Sequence, residues 1–485
     1  MTNQKIISQF LIAIILFVLF LFFPIFPSNP VASRMFAVVV MMAILWLSEM
    51  LPLGVTSLLP IFLFPIFGID STVKLAGNYM NSTIFLFLGG FFLSIAMEKW
   101  NLHKRIALSI LNLMGTSKYS MTFGFAFTTA LLSMFISNTA TAMIMLPIAL
   151  AIIYKVEDNL DSLQSHKFAV GLFLVIAYSA SIGGIATLIG TPPNLVLMRV
   201  YETSFPELPK ITFASWLRYG IPLSLGMMIL MMLLVSVVFL RKLPKSLLSK
   251  IDIKEQLTGL GKMNKAEIKI LCIFILVVFM WIFREPIQME WFTVPGWGES
   301  MGLSGLVDDG TIGIFGAVIL FLIPADFNDF SLKILNKDSI KSVPWEIILL
   351  FGGGFALASG FESSGLSKEI ALQLEYMHDL PIFVIILIIG ALVTTLTEFS
   401  SNTATAATML PVIAAMASVM NINPLILMIP AAVSASFAFT MPISTPPNAI
   451  VFSSGRLKIK DMLYSGILMN LLGLIYIVIF FTLIN

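Results

Sequence analysis

The hexapeptide Ser137-Asn138-Thr139-Ala140-Thr141-Ala142 recurs as Ser401-Asn402-Thr403-Ala404-Thr405-Ala406, and each copy is followed at the same distance by Met-Leu-Pro, at 145–147 and 409–411. The offset between the copies, 401 − 137 = 264, holds well outside the motif. Gly89, Gly90 and Phe91 meet Gly353, Gly354 and Phe355; Glu98 meets Glu362; Ile106, Ala107 and Leu108 meet Ile370, Ala371 and Leu372. Four residues before each motif, Ser133 meets Thr397. Further on, Thr191-Pro192-Pro193-Asn194 returns as Thr445-Pro446-Pro447-Asn448, now at an offset of 445 − 191 = 254, so the second copy has the shorter connection. An offset that persists over this much chain marks a duplicated unit, not a bias of composition.

The surroundings of the two copies are apolar. Of 485 residues 58% are hydrophobic and only 11% charged, with 41 Phe and 29 Met, and many apolar runs reach membrane-spanning length. The fold class that follows is an all-α polytopic membrane protein, because helices satisfy their own backbone in lipid. A net charge of +2 with no basic run interleaved with aromatic residues argues against a nucleic-acid partner. The single cysteine, Cys272, excludes an intrachain disulfide and reads as a packed apolar thiol. The apolar run 10–26 is followed by Pro27 and Pro30 and by no small-residue cleavage site, which favours a retained first span over a signal peptide.

Crossings are expected near 10–27, 35–48, 53–67, 83–97, 168–198, 218–240, 266–284, 311–324, 345–362, 424–452 and 462–483, about eleven in all. Two further apolar pairs, 121–154 and 381–420, carry the hexapeptide near their middle. Their first arms fall short of the ~20 residues a crossing helix needs, so these pairs read as re-entrant hairpins. Lys and Arg concentrate in alternate loops: Lys99, Lys104, Arg105, Lys118, Lys155 and Lys167, then Arg241 and Lys242, then Lys333, Lys337 and Lys341, then Arg456, Lys458 and Lys460. By the excess of cations in cytoplasmic loops, the N-terminus lies inside and the C-terminus outside, and the two hairpins enter from opposite sides.

Five expected spans separate the equivalent positions 83 and 347, and an odd number inverts the second copy relative to the first. Inverted repeats with interrupted helices are the pattern of secondary transporters. The domain organisation is then a first transmembrane helix over 1–34, repeat 1 over 35–240, a cytoplasmic linker over 241–265, and repeat 2 over 266–485. Arg241, Lys242, Lys245, Lys250, Lys254, Lys262 and Lys265 give the linker its charge.

Ser, Asn and Thr offer oxygens and an amide without carrying charge. Where one helix ends and another starts, free backbone N–H groups and the positive helix end suit a carboxylate, so two such tips suit the two ends of a dianion. The competing reading, small residues easing helix contact, explains one Ala-Thr-Ala but not a duplicated Ser-Asn-Thr. Two consecutive prolines break each Thr-Pro-Pro-Asn helix and free carbonyls at membrane depth, at Gly190-Thr191-Pro192 and Ser444-Thr445-Pro446. Hydroxyls, an Asn oxygen and backbone carbonyls suit a hard monovalent cation, and Na+ fits best. No Lys or Arg lies within either motif, so a dianion there needs helix termini or co-bound cations for compensation. Glu398, the nearest acid, reads as a solvated group at a hairpin mouth. A nucleotide-binding loop and a nucleophile with its base are both missing from the sequence, which disfavours an ATP-driven pump and an intramembrane enzyme.

The paired Ser-Asn-Thr motifs, their preceding hydroxyls and the two Pro-containing breaks resemble the divalent anion/sodium symporter family, the INDY-like carriers of dicarboxylates and citrate, over nearly the whole chain from about residue 35. The resemblance implies a homodimer with eleven spans and two opposed hairpins per protomer, moving small dicarboxylates of the succinate, malate and fumarate class by an elevator motion with Na+ as the co-transported ion and no organic cofactor. It implies substrate contact by Ser137, Asn138, Thr139, Ser401, Asn402 and Thr403. One Na+ would be held by Ser133, Ser137, Asn138 and Gly190, and the other by Thr397, Ser401, Asn402 and Ser444. Ser444 departs from the small apolar residue expected opposite Gly190, and its hydroxyl would add a ligand or alter ion dependence. An exchanger of dicarboxylates without Na+ is the alternative on the same fold.

Overall fold

A chain in which almost every long apolar run is bounded by Pro, Gly or a cap residue folds into helices that stop where those residues stand. The computed structural model describes residues 3–115, 117–157, 160–244, 251–288, 292–373 and 380–484. It is mostly helical. The only sheets among the described residues are two short antiparallel pairs, Ile287–Gln288 with Thr293–Val294 and Pro324–Asp326 with Asp329–Lys333. Among the described residues eight helices are long and apolar enough to cross a membrane. Shorter apolar helices, among them Gln9–Phe22, Leu53–Ile66, Asp309–Leu322 and Leu425–Ser434, occupy the places of expected crossings.

The duplication is visible in where helices begin. Leu102–Leu113, Lys118–Ser133 and Asn138–Glu157 correspond to Leu366–Gln373, Ile382–Glu398 and Asn402–Val419, and each pair of starting positions keeps the offset of the hexapeptide. Further along, the starts of Pro192–Ser204 and Pro446–Phe452 keep the offset of the Thr-Pro-Pro-Asn pair. Each hexapeptide therefore sits at a break within a helix pair. The first arms have 16 and 17 residues, ~24 Å of helix, and are short for a crossing. The second arms, of 20 and 18 residues, are among the eight long apolar helices, so the length argument for re-entrance applies to the first arms only.

Two interrupted helices tie the repeats together. The first, Ser162–Ile185 continued as Pro192–Ser204, is buried throughout residues 168–185. The second is Leu425–Ser434 continued as Pro446–Phe452. Pro192–Ser204 packs on Asn402–Val419, while Pro446–Phe452 packs on Asn138–Glu157, so each broken helix reaches across to the other repeat's helix pair. The Tyr178 hydroxyl donates to the Phe439 carbonyl at 3.0 Å and joins the two directly.

Away from this centre, helices Ser82–Lys99 and Asp309–Leu322 meet backbone to backbone. A Cβ on Gly89 would lie 2.3 Å from the Gly313 carbonyl carbon. Part of the charged linker is helical, Ile251–Gly259, and it packs on Leu102–Leu113. Arg105 clamps it there, donating to the Gly261, Leu260 and Lys262 carbonyls and to Glu267. Lys245 and Lys250 lie outside the described residues. Cys272, expected to be packed, is exposed on the outer face of its helix, because Lys265–Ile282 buries the opposite stripe of Ile270, Ile273, Val277 and Trp281.

Candidate substrate and cation site

The hydroxyl one turn before each motif folds onto the motif's asparagine. Ser133 Oγ lies 2.6 Å from Asn138 Oδ1 and also donates toward the Ala180 carbonyl at 2.6 Å. In the second half Thr397 Oγ1 lies 2.8 Å from Asn402 Oδ1 and 2.7 Å from the Ala435 carbonyl. A hydroxyl, an amide oxygen and a backbone carbonyl from three segments thus converge twice. Both carbonyls belong to a Ser-Ala-Ser stretch, 179–181 and 434–436, where the interrupted helix nears its break. The next hydroxyls, Ser181 and Ser436, are buried with no hydrogen-bond partner among the described residues. Unsatisfied buried oxygens beside gathered acceptors suit a cation better than a packed core.

Gly190 joins the first set. A Cβ built on Gly184 would meet Asn138 Oδ1 at 2.9 Å and the Gly190 carbonyl oxygen at 3.0 Å, so both oxygens crowd the same point. Ser137 caps the second arm, accepting from the Ala140 N–H at 3.2 Å, and is itself exposed, while Asn138 and Thr139 are half-buried. Ser401 and Asn402 are half-buried and Thr403 is buried. Both second arms start with no acidic residue in their first turn, so their positive ends are free to face an anion.

Ser444 behaves differently from its expectation. Its hydroxyl donates to Glu398 Oε2 at 2.6 Å and approaches the Met441 carbonyl at 3.0 Å, turned away from a free ligand position. Glu398 is not solvated either: it is buried, and it accepts from the Thr440 and Met441 N–H groups and from Asn470 Nδ2, at 2.9, 3.2 and 2.7 Å. Proximity to the motif was the visible signal for Glu398; nothing near it in sequence announced its donors.

The asparagines of the Thr-Pro-Pro-Asn pair are the other residues whose role the sequence left unassigned. Asn194 Nδ2 donates to the Thr187 carbonyl at 2.7 Å and leans on Gly184 O at 3.3 Å; Asn448 Nδ2 donates to Ala438 O at 2.9 Å and Met441 O at 3.0 Å. These partners are themselves equivalent at the offset of the Thr-Pro-Pro-Asn pair. Each asparagine ties off carbonyls freed by the break that its own prolines create, as backbone in an apolar setting requires.

Two interlocked broken helices, with paired oxygen clusters beside uncompensated helix N-termini, define a helical membrane transport protein. The chain belongs to the sodium:sulfate symporter family, matching the sodium:sulfate symporter transmembrane region over residues 3–484. Among its relatives is the sodium-dependent dicarboxylate transporter SdcS of Staphylococcus saprophyticus, 41% identical over 448 residues, which are 91% of this chain and 84% of that one. SdcS of Staphylococcus aureus is 40% identical over the same length and shares. The fold is also similar to that of the Alcanivorax borkumensis YdaH transporter (TM-score 0.57, 14% identity, 84% of this chain and 86% of that one). Neisseria gonorrhoeae MtrF gives a TM-score of 0.57 at 12% identity, over 84% of this chain and 82% of that one. At such identities the likeness concerns the fold alone.

Proposed function

We propose that this chain carries small dicarboxylates of the succinate, malate and fumarate class across the cell membrane by symport with Na+. The observation that carries the reading is the duplicated cluster: Ser133 against Asn138 and Thr397 against Asn402, each at the start of a helix without first-turn acids. Relatives at 40–41% identity named as sodium-dependent dicarboxylate transporters support the substrate and ion. Ser137, Asn138 and Thr139 then bind one carboxylate, and Ser401, Asn402 and Thr403 the other. Na+ is cargo held by Ser133, Ser137, Asn138 and Gly190 in one half and by Thr397, Ser401, Asn402 and the Ser444 backbone in the other. Two cations offset a dianion that would otherwise be costly at membrane depth.

The same reading makes the helix pairs 121–154 and 381–420 opposed re-entrant hairpins, with repeats 35–240 and 266–485 inverted about the membrane plane. The N-terminus is cytoplasmic, the C-terminus outside, and the protein a homodimer whose hairpins and broken helices move together as an elevator. Uptake of labelled succinate into proteoliposomes tests the coupling. An inward Na+ gradient should drive accumulation; accumulation seen only in Na+-free vesicles preloaded with unlabelled dicarboxylate would instead make the protein an exchanger.

A further inference from the structure

Of the positions at which the two halves of the site differ, one changes the charge. Glu398 directly follows Thr397, and its equivalent in the first repeat, directly after Ser133, is Met134. Around Met134 the tie between helix pair and broken helix is the Thr187 hydroxyl donating to the Met134 carbonyl. Around Glu398 the tie is a carboxylate with four donors: Thr440 N–H, Met441 N–H, the Ser444 hydroxyl and Asn470 Nδ2. Asn470 also donates to Thr440 Oγ1 at 3.0 Å, so the last helix, Ile459–Ile484, joins the knot. All four donors are neutral. They fix the carboxylate in place but do not cancel its charge, and in a buried setting an uncompensated charge acts strongly on its neighbours.

We infer that Glu398 is a fixed anion built into one half of the site only, which positions the broken segment 440–444 against the second helix pair and makes the cation beside Thr397 and Asn402 the more tightly held of the two. The inference rests on the two Na+ positions proposed above. Glu398 need not touch the ion. It acts through Thr397, its chain neighbour, and through Ser444, whose hydroxyl it holds. In the first half Met134 occupies the equivalent position, so the cation beside Ser133 and Asn138 has no matching carboxylate and relies on neutral oxygens.

The test uses the purified full-length protein in detergent without dicarboxylate, read by equilibrium binding of radioactive sodium and by the rise in unfolding temperature with Na+. Wild type should show two affinity classes. Glu398→Gln should weaken the tight class by roughly tenfold or more, leave the weak class unchanged, and Glu398→Asp should restore most of the loss. Should Glu398→Gln not fold, Thr397→Ala and Ser133→Ala decide the matter: the first should remove the tight class, the second the weak one. Unchanged tight binding in Glu398→Gln, or loss of the weak class in Thr397→Ala, overturns the inference while leaving the ion positions standing. A wild-type protein that neither binds sodium nor is stabilised by it removes the ion positions themselves, and the inference with them.

Discussion

At the scale of single residues the motif asparagines are the pivots, since each receives a hydroxyl from the end of the preceding helix and opens a helix with no acidic residue in its first turn. Asn138→Ala and Asn402→Ala should each reduce succinate uptake by about a hundredfold or more, a loss of ~3 kcal/mol of interaction with charged ligands, while size-exclusion elution stays that of the wild type. Uptake within a few-fold of normal in either would remove that residue from the site. Gly184 offers a sharper probe, because a methyl there would point at Asn138 Oδ1 and the Gly190 carbonyl, 2.9 and 3.0 Å away. Gly184→Ala should raise the Na+ concentration needed for half-maximal uptake several-fold with little change in expression; an unchanged Na+ dependence would mean that these oxygens do not meet at an ion. The sequence placed each hydroxyl beside its motif, but the contact with the asparagine five residues on is closed by the break between two helices. The setting of Glu398 was not legible in sequence, because its donors lie 42 to 72 residues away and only the folded chain brings them.

Among elements, the two interrupted helices depend on a back-bonding asparagine. The prolines that break them were plain from the sequence, as was the need to satisfy the freed carbonyls; which side chain does so was not, since hydroxyls and cations compete with an amide for the task. The structure assigns it to Asn194 and Asn448. Asn194→Leu and Asn448→Leu should each destabilise the protein by about 1–3 kcal/mol, the cost of leaving buried carbonyls without donors, visible as a lower unfolding temperature in Na+-free buffer. Equal stability in both variants would show that the breaks are satisfied by other groups. The second arms are single helices despite an internal proline: Asn138–Glu157 runs through Pro147 and Asn402–Val419 through Pro411 without stopping. A proline inside a helix loses one hydrogen bond but need not end it when neighbours pack around the kink.

For the molecule as a whole, stability rests on close packing between helices far apart in sequence. Helices Ser82–Lys99 and Asp309–Leu322 approach so closely that Gly89 has no room for a side chain against Gly313. Gly89→Val should lower stability by about 1–3 kcal/mol through overpacking, measured as thermal unfolding of the purified protein, and a neutral result would mean that these helices separate at little cost. Sequence alone determined the environment, the mostly helical class, the duplication and the identity of its equivalent oxygens, because apolar content, residue spacing and a constant offset are properties of the chain read in order. The tertiary structure decided how the copies meet: each broken helix lies against the opposite repeat's helix pair, and the buried carboxylate of Glu398 sets the second oxygen cluster apart from the first. Such choices depend on donors and surfaces far apart in sequence, whose partnership arises only when burial forces every polar group to find one.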